Sequence, residues 1–158
     1  MDNMINLTID GVQVSVPAGT TVLEAARKAN IKIPTLCYLK NLNAIGACRM
    51  CVVETGARAP QAACVLPATE GMVVKTNTPQ VRQARRAVLE LILSNHERKC
   101  LSCVRSQNCE LQDLAKELGV DENRFEQEII FYWNSTELYR ETVTVTAKDM
   151  LTVSGTYT

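Results

Sequence analysis

Seven cysteines and one histidine are the residues that most constrain how this chain can fold, because they fall into two tight groups. The chain has 158 residues, with 7 cysteines and 1 histidine. An odd number of cysteines in a chain without an export signal argues against a disulfide framework and favours metal binding. The first group is Cys37, Cys48, Cys51 and Cys64, and the second is His96, Cys100, Cys103 and Cys109. Four candidate ligands per group use every cysteine and the single histidine.

Charge and hydropathy argue against several other classes of protein. With 17 Lys and Arg against 17 Asp and Glu, the chain has no charge excess that would attract nucleic acid. No apolar run approaches the ~20 residues that a membrane-spanning helix needs. The N-terminal sequence MDNMINLTIDG lacks the basic start and apolar core of a secretory signal. We therefore expect a cytoplasmic protein that neither binds nucleic acid nor spans a membrane.

The N-terminal segment has the pattern of a β-hairpin followed by a helix. Apolar and polar residues alternate over residues 4–17, and Asp10-Gly11 in the middle favours a type I′ turn. Thr21 and Glu24 have the spacing of a capping box that opens a helix. The apolar face of this helix comprises Val22, Leu23, Ala25, Ala26 and Ala29. A helix laid across a small twisted sheet is the β-grasp arrangement.

Three short segments of the first half predict further strands. They span residues 51–55, 60–64 and 72–75, and the first and last are rich in β-branched residues. Residues 31–51 have no regular periodicity, although most of the first cysteine group lies there. We expect a loop wrapped round a metal site in this part of the chain.

Two helices are predicted in the second half. Thr78 is suited to cap the first of them and Pro79 to occupy its first position, and the helical pattern runs to Asn95. The apolar residues at helical spacing are Val81, Ala84, Val88, Leu91 and Ile92. A shorter helix spans about residues 110–118, and Gly119 ends it.

A basic cluster accompanies the longer helix. Arg82, Arg85 and Arg86 lie largely off its apolar face. Because charged side chains are mostly exposed, we expect a solvated helix face. A docking patch for an acidic partner is the alternative.

The first cysteine group has the spacing Cys37-x10-Cys48-x2-Cys51-x12-Cys64. Four thiolates supply the two ligands that each iron of a 2Fe–2S cluster needs. Small residues such as Gly46 let backbone N–H groups approach the sulfurs, and such hydrogen bonds raise the reduction potential. A structural zinc site with four cysteines is the alternative, because tetrathiolate sites suit either metal. A thioredoxin-like redox pair fits less well, because four cysteines converge rather than two.

The same region resembles a known iron–sulfur domain. The sequences IPTLCYL, GACRMCVVE and AACVLPATEGMVV are similar to the N-terminal 2Fe–2S domain shared by iron-only hydrogenases, the large iron–sulfur subunit of respiratory complex I and some NAD-linked formate dehydrogenases. The gap before the Cys-x2-Cys pair is longer than in plant-type ferredoxins. The resemblance extends from Ile5 to about Asn77, and it implies one 2Fe–2S cluster on the four cysteines.

The second group, His96-x3-Cys100-x2-Cys103-x5-Cys109, lies where the same families place a 4Fe–4S cluster held by one histidine and three cysteines. The flanking sequence LELILSNHERKCLSCVRSQNCELQDLA resembles that module in ligand order and gaps. The resemblance implies one 4Fe–4S cluster, whereas a zinc site of three cysteines and a histidine is the chemical alternative. Neutral imidazole in place of a thiolate removes one negative charge, so we expect a higher potential than in an all-cysteine version.

These features predict an α+β chain in three parts. Residues 1–77 form a ferredoxin-like β-grasp domain for the 2Fe–2S cluster, and residues 78–124 form a small helical domain for the 4Fe–4S cluster. Residues 125–158 contain the aromatic triplet Phe131-Tyr132-Trp133 and an alternating Thr-Val run at 142–146. Because large apolar groups are usually buried on something, we expect an extended arm that docks on a partner subunit. A partly disordered tail is the alternative.

The predicted function is electron transfer without catalysis by this chain. It has no G-x-G-x-x-G sequence for a dinucleotide and no Walker loop. By resemblance, the partners are a flavin- and iron–sulfur-containing subunit that oxidises NAD(P)H and the catalytic subunits of a hydrogenase. They would form a cytoplasmic hetero-oligomer, and an electron-bifurcating complex is one form that this would take.

Three other hypotheses remain open at this point. The chain is the equivalent subunit of an NAD-linked formate dehydrogenase, a zinc-stabilised interaction module without a redox role, or a piece of a longer enzyme cut after the second cluster.

Overall fold

The structure is a computed structural model that describes residues 4–42, 44–97, 99–121, 125, 129–133 and 136–141. It confirms the α+β class. The strands are β1 Met4–Ile9, β2 Val12–Pro17, β3 Val52–Val53, β4 Gln61–Ala62, β5 Val73–Val74, β6 Ile129–Trp133 and β7 Thr136–Glu141. The helices are α1 Val22–Lys28, α2 Pro79–Ser94 and α3 Glu110–Leu118, with a short 3-10 turn at Cys100–Ser102. Contacts divide the chain into two units, Met1–Val88 and Leu89–Thr158.

The N-terminal hairpin forms as predicted. Strands β1 and β2 pair antiparallel, with Ile9 opposite Val12. The turn between them uses left-handed backbone at both central residues, with φ of 48° at Asp10 and 85° at Gly11. Positive φ at both positions is what a type I′ turn requires, and it is why Asn or Asp followed by Gly is preferred there.

Helix α1 begins where the capping residue predicts. The Thr21 hydroxyl oxygen accepts a hydrogen bond from the backbone N–H of Glu24 at 3.3 Å. Val22, Leu23, Ala25 and Ala26 are buried. They share one core with the inward-facing residues of the sheet, and this core also contains Cys51 and Cys64.

The remaining strands of the first unit are shorter than predicted. Each of β3, β4 and β5 has two residues. Strand β5 runs parallel to β1, which gives a three-stranded sheet in the order β2-β1-β5, and β3 pairs separately with β4.

Helix α2 begins at the predicted residue, because the Thr78 hydroxyl oxygen accepts from the Val81 N–H at 3.2 Å. The prediction of its faces was wrong at two positions. Arg85 is only 6% exposed, and its Nη2 donates to the Val52 carbonyl oxygen at 2.8 Å. Leu91 is 51% exposed, whereas Leu89 is buried. The Val52 carbonyl oxygen of β3 therefore provides a hydrogen-bond acceptor for a buried arginine. Helical periodicity alone cannot show this long-range contact.

The second unit is described in part. Helix α3 ends at Gly119, whose φ of 63° provides the left-handed cap that was predicted. Strands β6 and β7 form an antiparallel hairpin, so the aromatic triplet at 131–133 is in a strand. The Thr-Val run at 142–146 lies outside the described residues. Within the described residues, every helix is too short or too polar to cross a membrane.

The hydrogen bond from Arg85 to Val52 gives a stability prediction. Arg85→Met removes the donor and leaves the buried Val52 carbonyl oxygen without this hydrogen bond. The loss should lower the free energy of unfolding by about 1–3 kcal/mol. Arg82→Met is the matched control, because Arg82 lies on the same helix and is exposed. Urea unfolding of both variants measures the difference, and equal midpoints would contradict the role given to Arg85.

Candidate metal centres

The first cysteine group is assembled by a loop and a short ladder. Cys37 and Cys48 lie in the long connection between α1 and β3, Cys51 immediately precedes β3, and Cys64 is two residues after the end of β4. The β3–β4 pairing places Val52 opposite Ala62. Cys51 and Cys64 are thereby brought to the same end of the ladder, in the core, with exposures of 1% and 0%.

The four sulfurs lie in two neighbouring pairs. The backbone N–H of Cys48 donates to the Cys37 sulfur at 3.5 Å, and the side chains of these two residues also interact. The thiols of Cys51 and Cys64 form the second pair, and Cys37 is close enough to Cys64 to affect its ionisation. Two sulfurs for each of two metal atoms is the donor set that a 2Fe–2S cluster requires.

The thiols ionise unequally in the metal-free protein. Burial, followed by the neighbouring Cys51 thiol, raises the pKa of Cys64 to about 12. Burial also acts to raise the pKa of Cys48, but hydrogen bonds from the Met50 backbone N–H and from the Cys37 thiol outweigh it and the pKa is lowered. Cys48 therefore becomes a thiolate, which is the form that binds metal, more readily than Cys64 does.

Gly46 provides a backbone contact from the loop to the buried pair. Its φ is +65°, and a Cβ at this position would lie 3.2 Å from Cγ2 of Val65. Its backbone N–H acts on the Cys64 sulfur and favours the thiolate. The expectation that a small residue lets the backbone approach a ligand sulfur is confirmed here.

A polar network fixes the residue that follows Cys37. The Tyr38 hydroxyl donates to Glu24 Oε1 at 2.7 Å, and Arg27 Nη1 donates to the same oxygen at 3.0 Å. The guanidinium of Arg27 also lies over the Tyr38 ring, 4.8 Å from its centroid. These bonds lower the pKa of Glu24, the one from Tyr38 most strongly. Helix α1 thus holds the start of the cysteine loop, a role that the sequence analysis missed.

The second group surrounds a single cavity. His96 follows the last turn of α2, Cys100 and Cys103 bracket the 3-10 turn, and Cys109 is the residue before α3. All four line a cavity of about 150 Å³ whose accessible wall is mostly apolar, although Glu97 and Arg105 are also among its lining residues. A cavity of this volume holds a compact group about the size of benzene.

Backbone N–H groups and a helix end favour negative charge in this site. The Arg105 N–H donates to the Cys103 sulfur at 3.4 Å. Cys109 is the residue immediately before the first turn of α3, where free N–H groups and the helix dipole favour negative charge. Three sulfur donors and one imidazole therefore face a common space that suits an anionic cluster.

The ligand side chains line these spaces without meeting at one point. Within the described ranges, no three His, Cys, Asp or Glu side chains converge on a position for a single metal ion. All seven cysteines lie in the described part of the chain and are free thiols. The structure thus brings together every predicted site residue in two groups, one in each unit.

Two segments of the chain match known iron–sulfur families. Residues 2–79 match the family described as "2Fe-2S iron-sulfur cluster binding domain". Residues 85–124 match the "NADH-ubiquinone oxidoreductase-G iron-sulfur binding region". The first contains all four cysteines of the first group, and the second contains His96 and the other three cysteines.

Curated relatives carry this region as part of longer chains. The NADP-reducing hydrogenase subunit HndD of Solidesulfovibrio fructosivorans is 49% identical over 131 residues, covering 78% of this chain and 22% of the relative. The NADH-ubiquinone oxidoreductase 75 kDa subunit of Reclinomonas americana is 42% identical over 125 residues, covering 78% of this chain and 18% of the relative. The chain thus spans less than a quarter of the length of these relatives.

A solved structure shares both sequence and fold. An NAD+-reducing [NiFe]-hydrogenase in the H2-reduced state has a TM-score of 0.72 and 35% identity, covering 80% of this chain and 55% of that chain. Together with the two segment matches, this similarity agrees with the resemblance drawn from the cysteine sequences. The chain is therefore a homologue of the NADP-reducing hydrogenase protein HndD and of the 75 kDa protein of NADH-ubiquinone oxidoreductase, with a 2Fe–2S cluster binding domain followed by an NADH-ubiquinone oxidoreductase-G iron–sulfur binding region.

Proposed function

We propose that this chain is an electron-transfer subunit of an NAD(P)-linked hydrogenase complex. The observation that carries the proposal is the grouping of eight ligands into two sites, each inside a segment that matches an iron–sulfur family. One site offers four sulfurs in two pairs, and the other offers three sulfurs and an imidazole around a cavity of about 150 Å³. When bound, each cluster accepts and releases one electron at a time.

The proposed ligands follow from the two groups. Cys37, Cys48, Cys51 and Cys64 hold one 2Fe–2S cluster, and His96, Cys100, Cys103 and Cys109 hold one 4Fe–4S cluster. The chain's own residues tune these sites through hydrogen bonds from backbone N–H groups to ligand sulfurs, which stabilise negative charge. The imidazole contributes no charge where a thiolate would contribute one.

The proposed domains keep the boundaries predicted from the sequence. Residues 1–77 form the β-grasp domain, residues 78–124 the helical domain, and residues 125–158 an arm that docks on another subunit. The hairpin of β6 and β7 supplies regular backbone within this arm. Aromatic residues are enriched in protein–protein interfaces, so the triplet in the sequence of this arm supports the proposal.

The proposed partners are taken from what the relatives are called. HndD is named as a subunit of an NADP-reducing hydrogenase, and the solved structure is an NAD+-reducing hydrogenase. We propose a flavin- and iron–sulfur-containing subunit that oxidises NAD(P)H on one side and hydrogenase catalytic subunits on the other, in a cytoplasmic hetero-oligomer. The chain itself supplies no catalytic residue in this scheme.

The test is to tag the chain in its native host and purify its complex without oxygen. We expect a flavoprotein and hydrogenase subunits to co-purify, and we expect NAD(P)H to reduce the chain's clusters, as followed by EPR. If formate dehydrogenase subunits co-purify instead of hydrogenase subunits, the chain is an electron-transfer subunit of a formate dehydrogenase complex. A complex whose clusters respond to dithionite but not to NAD(P)H, H2 or formate would contradict the proposal.

His96→Cys tests the role of the imidazole. Because a thiolate adds negative charge to the site, the midpoint potential of the 4Fe–4S cluster should fall by roughly 60 mV or more, a tenfold change in the reduction equilibrium. Asn95→Cys is the control, since it adds a cysteine one residue away and should leave the potential where it was. EPR-monitored redox titration measures both variants, and an unchanged potential in His96→Cys would remove histidine from the ligand set.

Thiol reactivity tests the geometry of the first site. In cluster-free protein at pH 8, iodoacetamide should label Cys48 at least roughly tenfold faster than Cys64, because the thiolate is the nucleophile and the pKa of Cys64 is raised to about 12. Raising the pH toward that value increases the thiolate fraction of Cys64 and narrows the difference between the labelling rates of the two thiols. Mass spectrometry of timed samples gives the rates. Cluster-loaded protein should protect both thiols, and equal labelling in the cluster-free protein would contradict the arrangement.

A further inference from the structure

The loop between Cys37 and Cys48 exposes three large aliphatic side chains. Leu39, Leu42 and Ile45 have exposures of 58%, 84% and 66%. Among the described residues, Leu101 and Val104 are the only other large hydrophobic side chains that are more exposed than Leu39. Both lie between candidate ligands of the other site. Leu39, Leu42 and Ile45 lie within seven residues of one loop, and exposed aliphatic groups that are close together mark surfaces that another molecule covers.

The same loop lies in a strongly basic stretch of a neutral chain. Residues 25–69 contain six cations and one acidic residue, Glu54. The cations are Arg27, Lys28, Lys32, Lys40 and Arg49, followed by Arg58. Glu24, just before this stretch, is bound by Tyr38 and Arg27, with Lys40 Nζ 3.6 Å from its Oε2. Lys40, next to Leu39 in sequence, and Arg49, next to Cys48, are both exposed, and these two cations are the basic rim of the loop.

The aliphatic patch, which comprises Leu39, Leu42 and Ile45, lies on the loop between two candidate ligands of the first site. Cys37 and Cys48, which bound the loop, are partly exposed, whereas Cys51 and Cys64 are buried in the core. A partner that covers the loop therefore comes closer to the first site than one that binds the hairpin. Covering the loop also removes water from the partly exposed sulfurs.

We infer that the Cys37–Cys48 loop is the docking surface for a redox subunit, which buries Leu39, Leu42 and Ile45 and presents acidic residues to Lys40 and Arg49. This inference rests on the proposed function and adds the surface through which electrons enter or leave the first site. The partner carries its own one-electron centre behind an apolar patch with an acidic rim.

Charge selects this occupant over a second copy of the chain. A symmetric dimer through the loop would bring the same basic rim onto itself. Like charges placed across an interface oppose association, whereas complementary charges steer it. An acidic redox subunit satisfies both the aliphatic and the basic features of the surface.

Site-specific photocrosslinking in the purified complex identifies the occupant. A benzoylphenylalanine at position 42 of the full chain should crosslink to a flavin- or iron–sulfur-containing subunit, at a peptide with more Asp and Glu than Lys and Arg. The same probe at position 12 is the control, because Val12 is 47% exposed but lies on the hairpin outside both cysteine loops. Crosslinks from position 42 to a second copy of the chain would overturn the inference.

Introducing a negative charge into the aliphatic patch tests the contribution of the patch to electron transfer. Leu42→Glu should slow reduction of the first cluster within the complex at least tenfold, while Val12→Glu should not. The EPR spectrum after dithionite reduction should be the same in both variants and the unaltered chain. Equal rates in the two variants would overturn the docking surface, whereas absence of any cluster signal in the unaltered chain would instead refute the proposed function.

A membrane surface is the other binding partner whose chemistry matches exposed aliphatic and basic groups. The cluster-loaded chain should not sediment with vesicles of phosphatidylcholine and phosphatidylserine. Sedimentation that Leu42→Glu abolishes would assign the patch to lipid and overturn docking of a redox subunit.

Discussion

The pairing of β3 with β4 is the contact on which the first site depends. The two strands have only two residues each, yet the register of Val52 opposite Ala62 decides where Cys51 and Cys64 lie. Both cysteines are part of the hydrophobic core formed by the hairpin and α1. Half of the first candidate ligand set is therefore built into the hydrophobic core. The other half, Cys37 and Cys48, is left on a loop where another molecule can reach it.

Support for this arrangement comes from both neighbouring helices. Arg85 of α2 donates to the Val52 carbonyl, so it holds the strand that directly follows Cys51. Glu24 of α1 holds Tyr38, the residue after Cys37. The second site uses helix ends instead, because His96 follows α2 and Cys109 precedes α3. In the second unit the candidate ligands lie at or near the ends of regular elements, where the chain can turn a side chain toward a shared space, whereas in the first unit only Cys51 and Cys64 do.

The features that the sequence predicted well are those decided by local chemistry. Asp10-Gly11 specifies its turn through backbone preference alone, Thr21 and Thr78 each cap the helix that follows, and Gly119 ends one through positive φ. The grouping of the ligands was also visible, because their spacing is a property of the chain. What remained hidden depends on contacts between distant residues. The burial of Arg85 requires a carbonyl 33 residues away, and the sorting of four cysteines into two pairs requires the β3–β4 register.

The central claim is that the two groups of ligands hold iron–sulfur clusters of different kinds. Chemical analysis of iron, zinc and acid-labile sulfide in anaerobically purified full-length chain tests it most directly. The account predicts about six iron atoms and about six sulfides per chain, as one 2Fe–2S and one 4Fe–4S cluster require, with no stoichiometric zinc. One or two zinc atoms per chain, with neither iron nor sulfide, would contradict it.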